Sequence, residues 1–484
     1  MSNAALFRLE LRETLRQPLT WIVLALLAAA MLAGCAVGAA RVAAERAALA
    51  EVTDEARVSV EEAKATARRY AAPAQLEVAQ FRDPSDAFGY MYNFLTVYAT
   101  RVPAPLAAVT VGQSDLTPPF IRVNFANVFP DSGYELRSPR MLALGAFDLG
   151  FVLVYLVPLA VIALGGTRLA GEQDSGILRM IAAQPVAPRQ VAAVKFLALA
   201  AVTVPFIATV PLLALWSTGG IGTGSSAAML SALAILSAAY ACFWIAMCAL
   251  AASLWRGSVA ALAMLVLSWA TMTVLLPSLA ALLLDLAAPA PSRLAYVDAS
   301  RVAADREAMD KGAAADWFDS RHDLGWINPN PVFGPELARL ARDQHNRAAL
   351  LPLRQAFEGH AARLQDGSTV ARLVSPALVL DGALQHLAGT DGSRQQAYVH
   401  AADGYTQHLR RWFERRVVAA LGKPPRCPDC PGRLSFREHD RVPAFRASIP
   451  APDPAPLAWA IGYLAVAVLA VASLAYRRLQ RWPL

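Results

Sequence analysis

Apolar residues in this chain gather into long runs, and polar residues fill the stretches between them. Each run holds roughly 20 residues, the length that an α-helix needs to cross about 30 Å of hydrocarbon. The pattern therefore predicts an all-α membrane protein with six transmembrane helices, at residues 21–40, 141–164, 191–216, 227–250, 259–282 and 457–476.

Two long polar stretches, residues 41–140 and 287–456, interrupt the series of spans. Residues 41–72 are rich in alanine and contain neither glycine nor proline, so they predict a helix that continues out of the first span. Proline and glycine recur from residue 73 to 139, which favours loops and short elements. The second stretch contains amphipathic helical runs. Together the two stretches predict insertions that form one mainly helical outer domain.

Arginine is concentrated in the short polar stretches on one side of the predicted bundle. It occurs in residues 1–20, in residues 165–190, at Arg256 between the fourth and fifth spans, and in the tail 477–484. The short loop on the other side, residues 217–224, carries no charge. The positive-inside rule then predicts cytoplasmic termini and extracytoplasmic insertions, in a multi-pass protein of the bacterial inner membrane.

The N-terminal stretch, residues 1–20, mixes apolar and basic positions at helical spacing. This spacing favours an interfacial helix on the cytoplasmic face of the membrane. A plain positively charged anchor is the alternative.

Composition agrees with this topology. Of the 484 residues, 56% are hydrophobic and 17% are charged, whereas soluble proteins carry about 25% charged residues. The formal net charge is +7. Because the excess comes from the arginines beside the spans, it does not call for a nucleic-acid partner.

The lysines exclude one class of enzyme. The chain contains four lysines: Lys64, Lys195, Lys311 and Lys423. A phosphate-binding P-loop needs Gly-x4-Gly-Lys followed by Ser or Thr, and no lysine here is followed by either residue. The chain is therefore not expected to be an enzyme with its own P-loop, and ATP-driven activity would need a separate ATPase subunit.

The segment between the second and third spans, residues 165–190, is the most informative part of the sequence. Its acidic and hydroxyl residues mark the predicted start of a short helix, and its apolar residues fall on one face: Glu172, Asp174 and Ser175, then Ile177, Met180 and Ile181. Negative charge suits a helix start, and Pro185 and Pro188 are expected to end the helix. Such a helix between two spans can transmit the motion of a partner, although an ordinary surface loop fits the pattern too.

The order of residues in this segment resembles the ABC-2 permease family. The matching positions are Glu172, Gly176, Ile177, Leu178, Pro185, Val186 and Lys195, with Arg179 and Arg189 in the same segment. Ile177 stands where threonine is usual in the family. The resemblance implies that these residues form the coupling helix on which an ATPase docks.

Two further stretches, residues 102–123 and 375–410, resemble a subfamily of ABC-2 permeases that has large extracytoplasmic loops and is distantly similar to permeases for copper-enzyme maturation. The resemblance implies a permease subunit of an exporter in contact with membrane lipid. It also implies a cytoplasmic ABC ATPase and a second permease, either an identical copy or a sister chain. Two other functions stay open: ATP-driven force transmission to a periplasmic partner without cargo movement, and a membrane-anchored receptor or scaffold.

The outer insertions carry weaker candidates. Cys427 and Cys430 lie in a polar stretch, where an oxidising compartment favours a disulfide over metal binding or a redox role. All seven histidines lie in the second insertion, but their scattered spacing does not predict a metal site or a cofactor. Asp148 falls near the outer end of the second span, and this shallow depth favours a hydrogen bond at the interface.

Overall fold

The long apolar runs of the sequence form helices that pack side by side. The computed structural model describes residues 3–71, 80–116, 118–125, 129, 147–176, 188–255, 257–305, 311–422, 436–446 and 453–480. Within these residues, six helices are long and apolar enough to cross a membrane. The predicted all-α fold with six spans is confirmed.

The helices are named here in chain order. They are α1 Asn3–Arg16, α2 Pro18–Ala71, α3 Leu149–Glu172, α4 Pro188–Ser217, α5 Ala227–Leu254, α6 Ser258–Ala287, α7 Arg293–Asp305, α8 Lys311–Asp319, α9 His322–Gly325, α10 Pro335–Arg372, α11 Pro376–Ala388, α12 Gly392–Ala420, α13 Phe436–His439 and α14 Pro454–Gln480. The span bundle consists of the first part of α2 together with α3, α4, α5, α6 and α14.

Helix α2 joins the span bundle to the first insertion without a break. It contains 54 residues, and at 1.5 Å per residue it is about 80 Å long, well over the thickness of a bilayer. The predicted continuation through residues 41–72 is therefore confirmed almost to its end. A motion at one end of α2 can reach residues far from the bundle.

A π-helical turn, Val152–Leu156, interrupts the regular hydrogen bonding of α3. A turn of this kind leaves backbone carbonyls that need other donors. The Tyr240 hydroxyl donates to the carbonyl of Val154 at 3.1 Å, and the Trp269 indole donates to that of Tyr155 at 3.2 Å. The irregular turn thus ties α3 to both α5 and α6.

The two insertions share a hydrophobic core. This core combines Ala63 of α2 and Tyr90 from the first insertion with Leu340 of α10 and Phe413 of α12. A short antiparallel hairpin borders it, formed by strands β1 (Val97–Thr100) and β2 (Phe120–Val123). The two stretches therefore pack into one mainly helical domain beyond the span bundle, which we call the outer domain.

Residues 104–111, called the strap here, pass without helical structure across one end of the span bundle. Leu106 and Val109 of the strap are buried among the spans, and the Gly150 amide donates to the Val109 carbonyl at 2.9 Å. Helix α11 packs at the same end and buries Leu380 in the same core. We call this the insertion end and the opposite end, where α1 lies, the α1 end.

Candidate functional site

The α1 end of the span bundle contains a cluster of charged side chains. Helix α1 packs along the first turns of α4 and close to the last turns of α3. We define the Lys195 cluster as the polar residues that meet there: Glu10 and Thr14 of α1, Arg168 and Glu172 of α3, and Lys195 of α4.

Lys195 lies at the centre of the cluster and is only 4% exposed. Its Nζ is 2.7 Å from Oε1 of Glu10 and 2.6 Å from Oε1 of Glu172. Glu10 is itself 5% exposed, so both charges have left water and depend on each other for compensation. The second oxygen of Glu172 is buried and finds no hydrogen-bond donor in the described part of the chain.

Arg168 connects the end of α3 to helix α1. Its Nη1 donates to the Thr14 hydroxyl at 2.8 Å, and its Nε donates to the carbonyl of Leu164 at 3.0 Å. Thr14 in turn donates to the carbonyl of Glu10 at 2.8 Å and is fully buried. Because Arg168 also lies in the field of Glu10 and Glu172, it balances the second negative charge of the cluster.

A second polar contact links α3 to α6 at the same end. Oδ2 of Asp174 accepts from the Ser258 amide at 2.8 Å and from its hydroxyl at 2.6 Å. A carboxylate at the first residue of α6 satisfies a free amide and complements the helix dipole. The hydrogen bonds from Ser258 lower the pKa of Asp174 below its ordinary value.

Glu172 and Asp174 lie in a short helical segment, Ala170–Asp174, that overlaps the end of α3. The rest of the helix that they are predicted to begin lies outside the residues that the structure describes, so that helix stays a prediction. Gly176 follows with a φ of +75°, a conformation that suits glycine and ends the turn. The ion pair with Lys195 holds Glu172 against the span bundle, so tertiary contacts decide where this turn belongs.

The remaining residues of the predicted coupling segment are only partly described. Ile177, Leu178, Arg179 and Pro185 lie outside the residues that the structure describes. Arg189 belongs to the first turn of α4, and its side chain is likewise outside the description. Their proposed contact with an ATPase stays a prediction.

Sequence reasoning missed Glu10 and Thr14. Both lie among Leu6, Phe7 and Leu11 on the face of α1 that contacts the bundle. The signal was present, because an acid and a hydroxyl four residues apart on an apolar helix face need buried partners. The partner of Glu10 is 185 residues away in sequence, and no local pattern indicates it.

Asp148 and the outer-domain candidates lie away from this site. Asp148 is buried and accepts from the amides of Phe151 and Val111 at 2.7 and 2.8 Å, which makes it the cap of α3. Cys427 and Cys430 lie outside the described residues, so the predicted disulfide stays a prediction. Among the residues that are described, no group of three or more His, Cys, Asp or Glu side chains could hold a metal ion.

Comparison with known proteins gives one match. A family model described as ABC-2 family transporter protein matches residues 4–478. The matched range includes both insertions as well as all six candidate spans. No curated protein and no solved structure matches the chain.

Proposed function

The chain belongs to the ABC-2 transporter family, and on this basis we propose that it works as the permease of an exporter powered by a separate ATPase subunit. The matched range of 4–478 covers nearly the whole chain. A single bundle of six helices needs a second bundle to enclose a path. The proposed assembly contains two permeases, identical or sister chains, and two ATPases.

The Lys195 cluster is the observation that supports this proposal most directly. Residues 177–187, where the ATPase is proposed to dock, connect Gly176 to the start of α4. Glu172 precedes this connection in the chain and Lys195 follows it. Their ion pair, at 2.6 Å, joins the helices at its two ends. A displacement of the docking segment therefore acts on α3 and α4 together.

A displacement of the docking segment also acts on α1 and α2. Lys195 also pairs with Glu10, and Arg168 holds Thr14. Helix α1 is separated from α2 only by Gln17, so a shift of α1 acts on the base of α2. The buried charges favour a small number of discrete arrangements, since a partly separated ion pair in a dry site is costly.

The orientation of the chain belongs to the proposal. We infer that the α1 end faces the cytoplasm of a bacterium and that the outer domain lies on the opposite side of the inner membrane. Single cysteines introduced at Glu13 and at Gly359, exposed positions at opposite ends of the molecule, test this with a membrane-impermeant thiol reagent. Labelling of Gly359→Cys alone in intact spheroplasts is expected, and labelling of Glu13→Cys alone would reverse the orientation.

The proposed coupling is tested by Glu172→Gln in the complex with its ATPase. This substitution removes one charge of the ion pair while keeping the shape of the side chain. ATP turnover is expected to lose its dependence on the permease, while the thermal unfolding of the permease stays close to that of the wild type. Glu51→Gln is the control, because Glu51 is exposed on α2, away from the cluster.

Two results would contradict the proposal. One is unchanged coupling in a folded Glu172→Gln variant. The other is a permease that purifies without any P-loop ATPase even after cross-linking in its native membrane, which would favour a receptor or scaffold.

Force transmission to an outer partner is the second candidate function. It is favoured by the continuity of α2, which runs from the α1 end into the core of the outer domain through Ala63. Lys64 strengthens that attachment, because its Nζ pairs with Asp440 of the second insertion at 2.5 Å. ATPase cycling that changes cysteine accessibility in the outer domain, without any cargo movement in sealed vesicles, would favour this function over export.

A further inference from the structure

A group of arginines surrounds the point at which α2 leaves the span bundle at the insertion end. Arg41 of α2 lies about 35 Å along the helix axis from Pro18, at about 1.5 Å per residue. This distance is slightly more than the roughly 30 Å of hydrocarbon in a bilayer. With Pro18 at one boundary of the hydrocarbon, Arg41 would lie at the level of the lipid phosphates of the opposite leaflet.

Two guanidinium groups in this region share one carboxylate. Glu45 is 3.5 Å from Arg41 Nη1 through Oε2 and 3.5 Å from Arg101 Nη2 through Oε1. Both distances exceed the roughly 2.8 Å of a close charge-assisted hydrogen bond. Arg101 is only 5% exposed. Arg41 also donates to the Ala107 carbonyl at 2.6 Å and to the Ser114 hydroxyl at 3.1 Å, and Arg101 donates to Gln395 Oε1 at 2.6 Å. Both guanidinium groups are therefore held in place by acceptors of the protein.

Arg394 adds a third positive charge. It is half-buried in the first turn of α12, beside Gly389 and near Arg101. Within the described residues, no side chain or carbonyl accepts a hydrogen bond from its guanidinium. Burial lowers the pKa of Arg394, the negative charge of Asp391 partly offsets this, and the positive charge of Arg101 lowers the pKa further.

The nearest carboxylate to Arg394 is already in use. Asp391 accepts from His386, from the Ser393 hydroxyl and from the backbone amide of Arg394. Gln395 contributes a further donor, because its Oε1 accepts from Arg101 while its Nε2 is buried with no acceptor in the described part of the chain. The Arg394 guanidinium and Gln395 Nε2 are therefore donors without an acceptor in the described part of the chain.

We propose that Arg394 and the Gln395 amide, beside the positive charges of Arg41 and Arg101, bind the phosphate group of a ligand at the insertion end of the bundle. A guanidinium presents paired donors that match the oxygens of a phosphate. A bound phosphate supplies the acceptors that Arg394 and Gln395 lack and reduces the repulsion between Arg101 and Arg394. Phosphate binding at this place goes beyond the proposed function and does not depend on coupling to an ATPase.

The ligand has two sources that share this chemistry, namely an anionic phospholipid headgroup and a free phosphate. The full-length protein is prepared in nanodiscs of phosphatidylcholine, with and without phosphatidylglycerol. Bound phospholipid is counted by native mass spectrometry, and inorganic phosphate is titrated by thermal shift. Control titrations with sulfate and with chloride at equal ionic strength distinguish specific phosphate binding from general screening of charges by salt.

The wild type is expected to retain phosphatidylglycerol or to be stabilised by phosphate, and Arg394→Gln is expected to weaken this binding about tenfold. Arg394→Lys keeps the charge but loses the paired donors, so its binding should be intermediate between that of the wild type and that of Arg394→Gln. Arg122→Gln is the matched control, since Arg122 is exposed on β2 and its loss should leave binding unchanged.

The two probes distinguish a lipid headgroup from a free phosphate and can also show that neither binds. Retained lipid that phosphate does not displace identifies a headgroup site, and lipid that phosphate displaces identifies a site that soluble phosphate reaches. Absence of binding by either probe in the wild type overturns the proposal. Equal binding by folded Arg394→Gln, Arg394→Lys and wild-type proteins overturns it as well.

Discussion

The two ends of the span bundle are held together by different kinds of contact. At the α1 end, side-chain charges join the helices, with Lys195 between Glu10 and Glu172 and Arg168 on Thr14. The insertion end relies more on backbone contacts of the strap. There the Gly222 amide donates to the carbonyl of Pro105 at 2.7 Å.

This difference indicates how each end can respond to a partner. Ion pairs between long side chains can exchange partners when an adjacent segment moves, so the α1 end is suited to receive a signal. Backbone packing depends on shape and tolerates little displacement. The insertion end is therefore expected to move as one piece.

The largest effect is expected from Lys195→Met. This substitution leaves Glu10 and Glu172 without their shared cation in a buried site and should reduce the free energy of unfolding by about 3–5 kcal/mol. Chemical unfolding in mixed micelles measures the loss. The control is Arg57→Met, which breaks an exposed pair with Asp54 and should change stability little. Equal losses in the two variants would show that charge does not hold the α1 end.

Gly38→Ala probes the insertion end. An added Cβ would overlap the backbone carbonyl of Ala108 in the strap, and a backbone group cannot rotate away from it. Stability should fall by about 1–3 kcal/mol in the same unfolding assay. Gly462→Ala is the matched control in α14, because a Cβ there meets nothing within 4 Å. A neutral Gly38→Ala variant would mean that the strap yields easily.

Asp174→Ala tests the smaller contact between α3 and α6. It removes the acceptor for the Ser258 amide and hydroxyl, and the melting temperature should fall by less than in Gly38→Ala. Because its pKa is lowered in the folded protein, Asp174 stabilises the fold above its ordinary pKa of 3.8, and this contribution is lost as the pH falls. Removal of the carboxylate should thus flatten the acid side of the stability profile, and an unchanged profile would contradict the contact.

The smallest effect is expected when a change of pH removes the charge of His386, near the insertion end. Its ring nitrogens face Asp391 Oδ2 at 2.7 Å and the Asp453 carbonyl at 2.8 Å. Both partners are acceptors, so the charged ring satisfies both and the hydrogen bond to Asp391 raises the pKa of His386 above 6.5. This stabilisation is complete below pH 6.5 and is lost as the pH rises through the raised pKa. His386→Gln should remove this dependence from the melting temperature between pH 6 and 9.

Part of this architecture could be predicted from local sequence. Residues 41–72 lack glycine and proline, and they continue α2 to Ala71. The candidate site was only partly predictable. Glu172 and Lys195 were identified through a family pattern, but Glu10 was not, because its side chain reveals its role only once α1 packs on α4.

The sequence by itself determined the six spans, the two long insertions between them and the absence of a P-loop lysine. These features depend on the length of apolar runs and on residue identity, and both are local properties of the chain. The tertiary structure decided which charges meet in the Lys195 cluster and how the strap enters the bundle. Pairing of this kind depends on residues far apart in sequence, whose contact is stabilised only when packing removes both partners from water.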